Sequence, residues 1–302
     1  ALVRVAVVSA SLMAPTAQAA PPADLDAYAR QVLEAFETPG MSIAIVERGQ
    51  PTVLRSYGVR RMGQPAQVDE NTLFAIGSTT KAFTSAILAT LVDEGKLTWD
   101  TRVSDVLPGF KLQDAYASSE MTVRDLLVHR SGLGLGAGDL LFYPPPSDRT
   151  RAEIVHSLRY IKPASSFRST FAYSNMMYLV AGEVIKAVGG ASWEEAVRQR
   201  IFAPLQMTSS TTSSLLPAGA NRAWPHSRIT TDMRGDGPVV ALAAPVDIDI
   251  VGPTGSIQSS TADIARWLEL QLGRGLDPQT NKRVFSEAQA REMWTPQMVV
   301  PV

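Results

Sequence analysis

Apolar alternation of the β type is concentrated in one short stretch near the N-terminus, and almost everything after it reads as helix. Met41, Ile43 and Ile45 alternate with Ser42 and Ala44, Arg48-Gly49-Gln50 turns the chain, and 52–59 returns as a second β-rich run. The spacing predicts an antiparallel hairpin over 41–60. Two strands by themselves are marginal in water, so this hairpin has to lean on other elements. Upstream, 24–36 places Leu25, Tyr28, Val32, Leu33 and Phe36 on one helical face, and Pro39-Gly40 ends it. Downstream, 80–94 carries Phe83, Ile87, Leu88 and Leu91 on one face and stops at Gly95. Thr122-Val-Arg-Asp125 is a capping box, expected to open a short helix ending at Ser131-Gly132. A further helix is expected over 175–188, closed by Gly189-Gly190. Ser192-Trp-Glu-Glu195, Ser260-Thr-Ala-Asp263 and Ser286-Glu-Ala-Gln289 are three more helix starts of the same kind. Two stretches read as loops: 133–147, Gly-rich and then Pro-Pro-Pro, and 209–245, rich in Ser, Thr, Gly and Pro. Loops of that length in a compact domain are often functional.

Composition narrows the function classes. A chain of 302 residues makes two ordinary domains or one large enzyme domain of two lobes. Hydrophobic residues at 45% and charged residues at 19% exclude a disordered or collagen-like chain. Lys plus Arg is 28 against 29 for Asp plus Glu, so the basic excess of a nucleic-acid binder is missing. The absence of cysteine removes disulfides, thiolate nucleophiles and Cys-based metal sites. His129, His156 and His226 lie far apart without HExxH spacing, so no metal or other cofactor is expected. At the N-terminus, Arg4 precedes an apolar run over 5–14, and Ala17-Gln18-Ala19 supplies a small-x-small cleavage pattern. Residues 1–19 therefore read as a signal peptide, part of whose leader is absent, and the protein as exported, periplasmic or secreted. The run is shorter than the roughly 20 apolar residues of a membrane span. The apolar ending Gln297-Met298-Val299-Val300-Pro301-Val302 is unusual for a domain terminus, and a fragment is expected.

Two short patterns carry chemistry. In Ser78-Thr79-Thr80-Lys81, a serine at a helix start and a lysine three residues on share one face. A serine hydroxyl is a weak nucleophile that needs an adjacent base. Lysine serves as that base only where burial or a neighbouring cation lowers its pKa. Alone, the pattern equally describes a helix cap beside a solvated lysine. In Tyr173-Ser174-Asn175, a phenol held beside an ammonium can relay a proton, and the amide offers a donor and an acceptor to a substrate. The same three residues also read as a packed tyrosine followed by a helix cap.

Taken in order, the segments resemble the serine β-lactamase and penicillin-binding superfamily. Phe74-Ala-Ile-Gly-Ser78-Thr-Thr-Lys81-Ala-Phe83 is similar to its nucleophile segment, within the class C β-lactamase-like branch of D-aminopeptidases, DD-peptidases and family VIII carboxylesterases. Met121-Thr-Val-Arg-Asp-Leu-Leu-Val-His-Arg-Ser-Gly-Leu133 resembles that branch's T-x-R-x-L-L-x-H-x-S-G-L segment, and Tyr173-Ser174-Asn175 its Y-x-N motif. Arg200-Ile-Phe-Ala-Pro-Leu-Gln-Met207 resembles its R-I-F-x-P-L-G-M stretch, and Gly252-Pro-Thr-Gly-Ser256 with Ser259-Ser260-Thr-Ala-Asp263 its G-P-A-G-x-x-S-S-x-x-D segment. The resemblance implies an α+β fold: an antiparallel sheet flanked by helices, with a large all-helical lobe. It divides the chain into 20–76, part of the α/β lobe, and 77–302, mostly helical. It also implies a serine hydrolase acting on a small-molecule or peptide acyl substrate (an ester, a D-peptide or a β-lactam). Ser78 would be the acylated nucleophile, Lys81 its proton acceptor, Tyr173 a proton relay and Asn175 a substrate-orienting group. The Ser78 N–H would be one oxyanion donor; His129 would be structural, and His226 a cleft or surface residue.

One departure bears on activity. The family's third motif, Lys-Thr-Gly or His-x-Gly on a later strand, occurs nowhere in the 302 residues. With it goes the second oxyanion donor, so the site and the sheet are expected to be incomplete and this chain inactive as it stands. The alternative is a catalytically inactive penicillin-binding-like module that binds peptides, against which the joint presence of Ser78, Lys81, Tyr173 and Asn175 argues. A Ser-His-Asp hydrolase would want Gly-x-Ser-x-Gly, which is absent.

Overall fold

Serine and threonine side chains that cap their own backbone set most of the helix starts. The computed structural model describes residues 23–228 and 237–300. The stretch read as a signal peptide, 1–19, lies outside the described residues. The helices in chain order are α1 (Leu25–Ala35), α2 (Thr80–Asp93), α3 (Val103–Val106), α4 (Ala115–Glu120), α5 (Val123–Leu127) and α6 (Arg151–Ser157). They continue with α7 (Asn175–Gly189), α8 (Trp193–Val197), α9 (Gly252–Gly255), α10 (Thr261–Leu272) and α11 (Glu287–Trp294). Thr122 and Thr150 form complete capping boxes with Asp125 and Glu153, and Ser174, Ser192, Ser260 and Ser286 each accept a backbone N–H from the first turn. At the far end of α7, Gly190 takes the left-handed conformation (φ 78°) and returns its N–H to the Lys186 carbonyl.

The strands are β1 (Gly40–Ile45), β2 (Val53–Gly58), β3 (Phe74–Ala75), β4 (His226–Arg228), β5 (Val239–Ala241) and β6 (Gln258–Ser259). β1 and β2 form the expected hairpin, in the register Gly40↔Gly58 to Ile45↔Val53. All pairings of named strands are antiparallel, but among the described residues they make three separate two-stranded sheets rather than one. The fold is α+β, as expected. The support that the hairpin needs comes from α10, which packs against β1.

Three local expectations are corrected. The helix opened by Thr122 stops at Leu127, not at Ser131-Gly132, because His129 adopts a positive φ (58°) that no helix tolerates. The stretch 209–245 is not loop throughout: β4 and β5 pair within it, each too short at three residues to show an alternation in sequence. The loop 133–147 contains a 3-10 turn over Asp139–Phe142.

The core lies between the helices. α2 packs on α7, both pack on α9, α8 closes against α2 and α7, and α11 covers another side of α2. Phe83, Ile87, Leu88 and Leu91 of α2 are fully buried, as are Met176, Leu179, Val180 and Ile185 of α7. Phe83 stacks on Trp267 of α10 at 4.1 Å between ring centroids and meets the edge of Phe202 at 6.1 Å. This packing fixes the N-terminal ends of α2 and α7, where the chemically interesting residues sit.

Candidate active site

Ser78 lies in a single 3-10 turn, Gly77–Thr79, that leads into α2. Gly77 supplies a positive φ (52°), and the Ile76 N–H bonds to the Ile257 carbonyl while β3 pairs with β6. The chain approaching Ser78 is thereby tied to the segment that leaves α9. One turn further, Lys81 points back along the helix and is only 6% exposed, whereas Ser78 itself is exposed. Ser174 takes the capping role at α7 by accepting from the Met177 N–H, which leaves Asn175, the first residue of that helix, free to turn its amide towards α2.

The four residues expected from sequence meet at one point. The Lys81 ammonium donates to Ser78 Oγ (3.1 Å), Asn175 Oδ1 (2.9 Å) and the Thr254 carbonyl (2.8 Å). The Tyr173 hydroxyl donates to Ser78 Oγ at 2.6 Å. Lys81 Nζ also stands 4.8 Å from the Tyr173 ring centroid and 5.4 Å from that of Tyr178. Burial pulls the Lys81 amine below its ordinary pKa, and contacts with Tyr173 and Asp139 offset part of that pull. A lysine so lowered can carry or release a proton within reach of a serine hydroxyl, as a general base requires.

Sequence reasoning missed three contributors. The first is the Thr254 carbonyl. It reaches Lys81 because α9 presses against α2 and α7: Thr84 Oγ1 donates to the Pro253 carbonyl, and Trp193 Nε1 donates to Thr84 Oγ1. Gly182 permits the approach on the α7 side, where a Cβ would stand 2.3 Å from Pro253 Cγ. The Gly-Pro-Thr-Gly motif was visible in the sequence, but nothing in it marked a particular carbonyl as an acceptor. The second is Asp139, whose Oδ2 accepts from Asn175 Nδ2 at 3.0 Å; no motif pointed to it. Burial pushes its carboxyl above the usual carboxylate range, against the Asn175 hydrogen bond and the Lys81 charge. The third is the working contact of His129. Its ring stacks on Tyr173 at 4.5 Å, its Nδ1 accepts the Ser174 N–H at 3.1 Å, and its carbonyl accepts the Ala172 N–H. Burial, then the nearby Lys81 charge, pushes the imidazole down to about 4, so at neutral pH it is the uncharged acceptor this contact needs.

Asp125 anchors the backbone around His129. It is fully buried and accepts from Arg130 Nε and from Arg168, each at 2.6 Å. Burial pushes the carboxyl up, but hydrogen bonds from Arg168, Thr122 and Arg130 outweigh it and hold the group below its ordinary value. His226 stands apart from the four residues. Its Nε2 accepts the Met62 N–H at 3.1 Å, on the wall of a cavity lined by Gly40 of β1, Phe74 of β3, Arg228 of β4 and Val239 of β5. Among the described residues no group of three or more His, Asp or Glu is placed to hold a metal ion. No described helix is long and apolar enough to cross a membrane.

Comparison with known proteins places this geometry in context. The β-lactamase family model matches residues 25–301. An unguisins hydrolase from Aspergillus campestris is 30% identical over 288 residues, covering 92% of this chain and 51% of the relative. Penicillin-binding protein 4 of Amycolatopsis lactamdurans is 32% identical over 259 residues, covering 84% of this chain and 65% of the relative. The chain thus spans about half to two thirds of the length of these relatives. In three dimensions it resembles the octameric penicillin-binding protein homologue from Pyrococcus abyssi, with TM-score 0.72, 24% identity, 90% of this chain and 59% of that one covered. A class C β-lactamase superposes with TM-score 0.68 and 23% identity, over 88% of this chain and 66% of the other.

Proposed function

Because the chain belongs to the β-lactamase family, we propose that it is an exported serine hydrolase that cleaves esters or amides through an acyl-enzyme on Ser78. The observation that carries this reading is the set of partners around Lys81 Nζ. A neutral amine has two N–H bonds and one lone pair. The Thr254 carbonyl and Asn175 Oδ1 are acceptors only, so they claim the two N–H bonds and leave the lone pair facing Ser78 Oγ. Lys81 in that form takes the Ser78 proton as Oγ bonds to the acyl carbon. The oxyanion so formed lies near the Ser78 N–H, at a helix start where backbone donors lack intrahelical partners. Tyr173 gives its hydroxyl proton to the leaving group and regains one from Lys81, after which water releases the acid by the same path reversed. His129 keeps the Tyr173 ring in place by stacking.

The hydrolase and penicillin-binding names of the relatives set the substrate panel: a p-nitrophenyl ester, a D-amino-acid p-nitroanilide and a chromogenic cephalosporin. Covalent labelling is the primary test, because a single acylation survives a weak oxyanion site better than turnover does. One donor absent lowers turnover by about 10²–10³-fold even in an intact site. The 302 residues contain neither Lys-Thr-Gly nor His-x-Gly to supply it, so low turnover is expected from this chain. A fluorophosphonate should label Ser78 alone, and Ser78→Ala should abolish labelling without altering the fold. Label that persists in Ser78→Ala, or maps to another serine, would overturn the reading.

A further inference from the structure

A 3-10 turn begins at Asp139, and the preceding loop holds that residue against the start of α7. The Gly136 N–H donates to the Tyr173 carbonyl, and the Asp139 N–H donates to the Gly136 carbonyl. Gly138 adopts φ 92°, and a Cβ there would lie 2.7 Å from Met176 Cγ, so the loop can sit this close to α7 only with glycine at that position. Among the described residues the carboxylate so placed has one partner: Oδ2 accepts from Asn175 Nδ2, while Oδ1 is buried without a hydrogen bond.

The two ends of an asparagine amide have nearly the same shape and opposite hydrogen-bonding character. What faces Lys81 therefore depends on what holds the other end. An ionised carboxylate only accepts, so it binds the NH2 end and leaves Oδ1 for Lys81. Turned over, the amide would aim N–H at Lys81 Nζ, and the amine's lone pair would be drawn to Asn175 instead of Ser78. We propose that Asp139 is a positioning residue, which fixes the Asn175 amide so that the Lys81 lone pair is directed at Ser78. This rests on the assignment of Lys81 as the base. The Asp139 charge has a second consequence, since it favours the protonated form of Lys81 against burial. The other titratable groups facing Lys81 are Tyr173, Tyr178 and His129. Burial raises Tyr178 to about 12, and burial with the Lys81 charge lowers His129 to about 4.

The test is the pH dependence of fluorophosphonate labelling at Ser78, a reaction that asks nothing of substrate recognition. In the unaltered protein the rate rises with pH as Lys81 loses its proton. Asp139→Asn keeps an oxygen to accept from Asn175 but removes the charge. Its rising limb should move to lower pH by on the order of one to two pH units, the size expected at an effective dielectric near 20 for a charge joined to the ammonium through the Asn175 amide. Asp139→Leu removes the acceptor and should lower the plateau rate by about tenfold or more, part of the 10²–10⁴-fold that a placed base supplies. An unchanged plateau in Asp139→Leu, or a plateau lost equally in Asp139→Asn, overturns the proposal when rates are taken per folded molecule, because an aspartate that holds the Asn175 amide is replaceable by an acceptor of the same shape and not by leucine. A failure of the underlying reading looks different: Lys81→Ala would then label at the unaltered rate, whatever Asp139 does.

Discussion

Replacing Thr84 with valine removes one hydroxyl from the buried junction of α2, α8 and α9. Thr84 is 0% exposed, its Oγ1 donates to the Pro253 carbonyl at 2.8 Å, and it accepts from Trp193 Nε1 at 2.9 Å. Valine matches the shape but bonds to neither, so two buried polar groups are orphaned at once. Each orphan costs about 1–3 kcal/mol, and together about 2–6 kcal/mol. Urea unfolding followed by tryptophan fluorescence should show a lower midpoint at an unchanged slope, the sign of lost stability rather than an altered denatured state. The double-mutant cycle with Trp193→Phe isolates the cause. In the Trp193→Phe background the indole N–H is already gone, so Thr84→Val should cost about 1–2 kcal/mol less than in the parent. Additivity within about 0.5 kcal/mol would refute the hydrogen-bonded chain from α8 through α2 to α9. Because Pro253 precedes the carbonyl that binds Lys81, the same substitution should slow labelling of Ser78 beyond what the unfolded fraction explains.

Lys81→Ala and Tyr173→Phe should each reduce acylation by about 10²–10⁴-fold and together by little more, since both act on one proton path; single-turnover rates check this. Gly182→Ala should destabilise by about 1–3 kcal/mol, because its Cβ would sit 2.3 Å from Pro253 Cγ and force α9 away from α7; chemical denaturation measures it. His129 should make stability depend on pH in a defined window. Its folded pKa of about 4 lies below the unfolded value near 6.5, so the unfolded chain binds more protons between the two. The contribution is fully present above about pH 6.5 and is lost as pH falls towards 4, on the order of 3 kcal/mol in all. His129→Asn, whose side chain tolerates the positive φ, should flatten that window in a pH series of unfolding midpoints.

Sequence and tertiary structure contributed different parts of this site. A serine that caps its own helix bonds three residues away, so Ser174, Ser192, Ser260 and Ser286 could be read without knowing the fold. The same holds for Ser78 and Lys81, which one helical turn places side by side. The alternation over 41–60 sufficed for the hairpin because six paired residues on each strand reveal a period of two, whereas three residues at β4 and β5 do not. That Tyr173 and Asn175 join Ser78 and Lys81 had to come from resemblance, since 95 and 94 residues separate them from those partners. What the sequence could not contain is the acceptor at Thr254, because every residue carries a carbonyl and only the packing of α9 on α2 and α7 selects one. Asp139 was hidden for a related reason: a lone carboxylate in a glycine-rich loop looks solvated until the loop is seen folded against α7. Its burial, and the orientation it imposes on Asn175, are properties of contacts between segments remote along the chain, and those exist only once the helices have closed around Lys81.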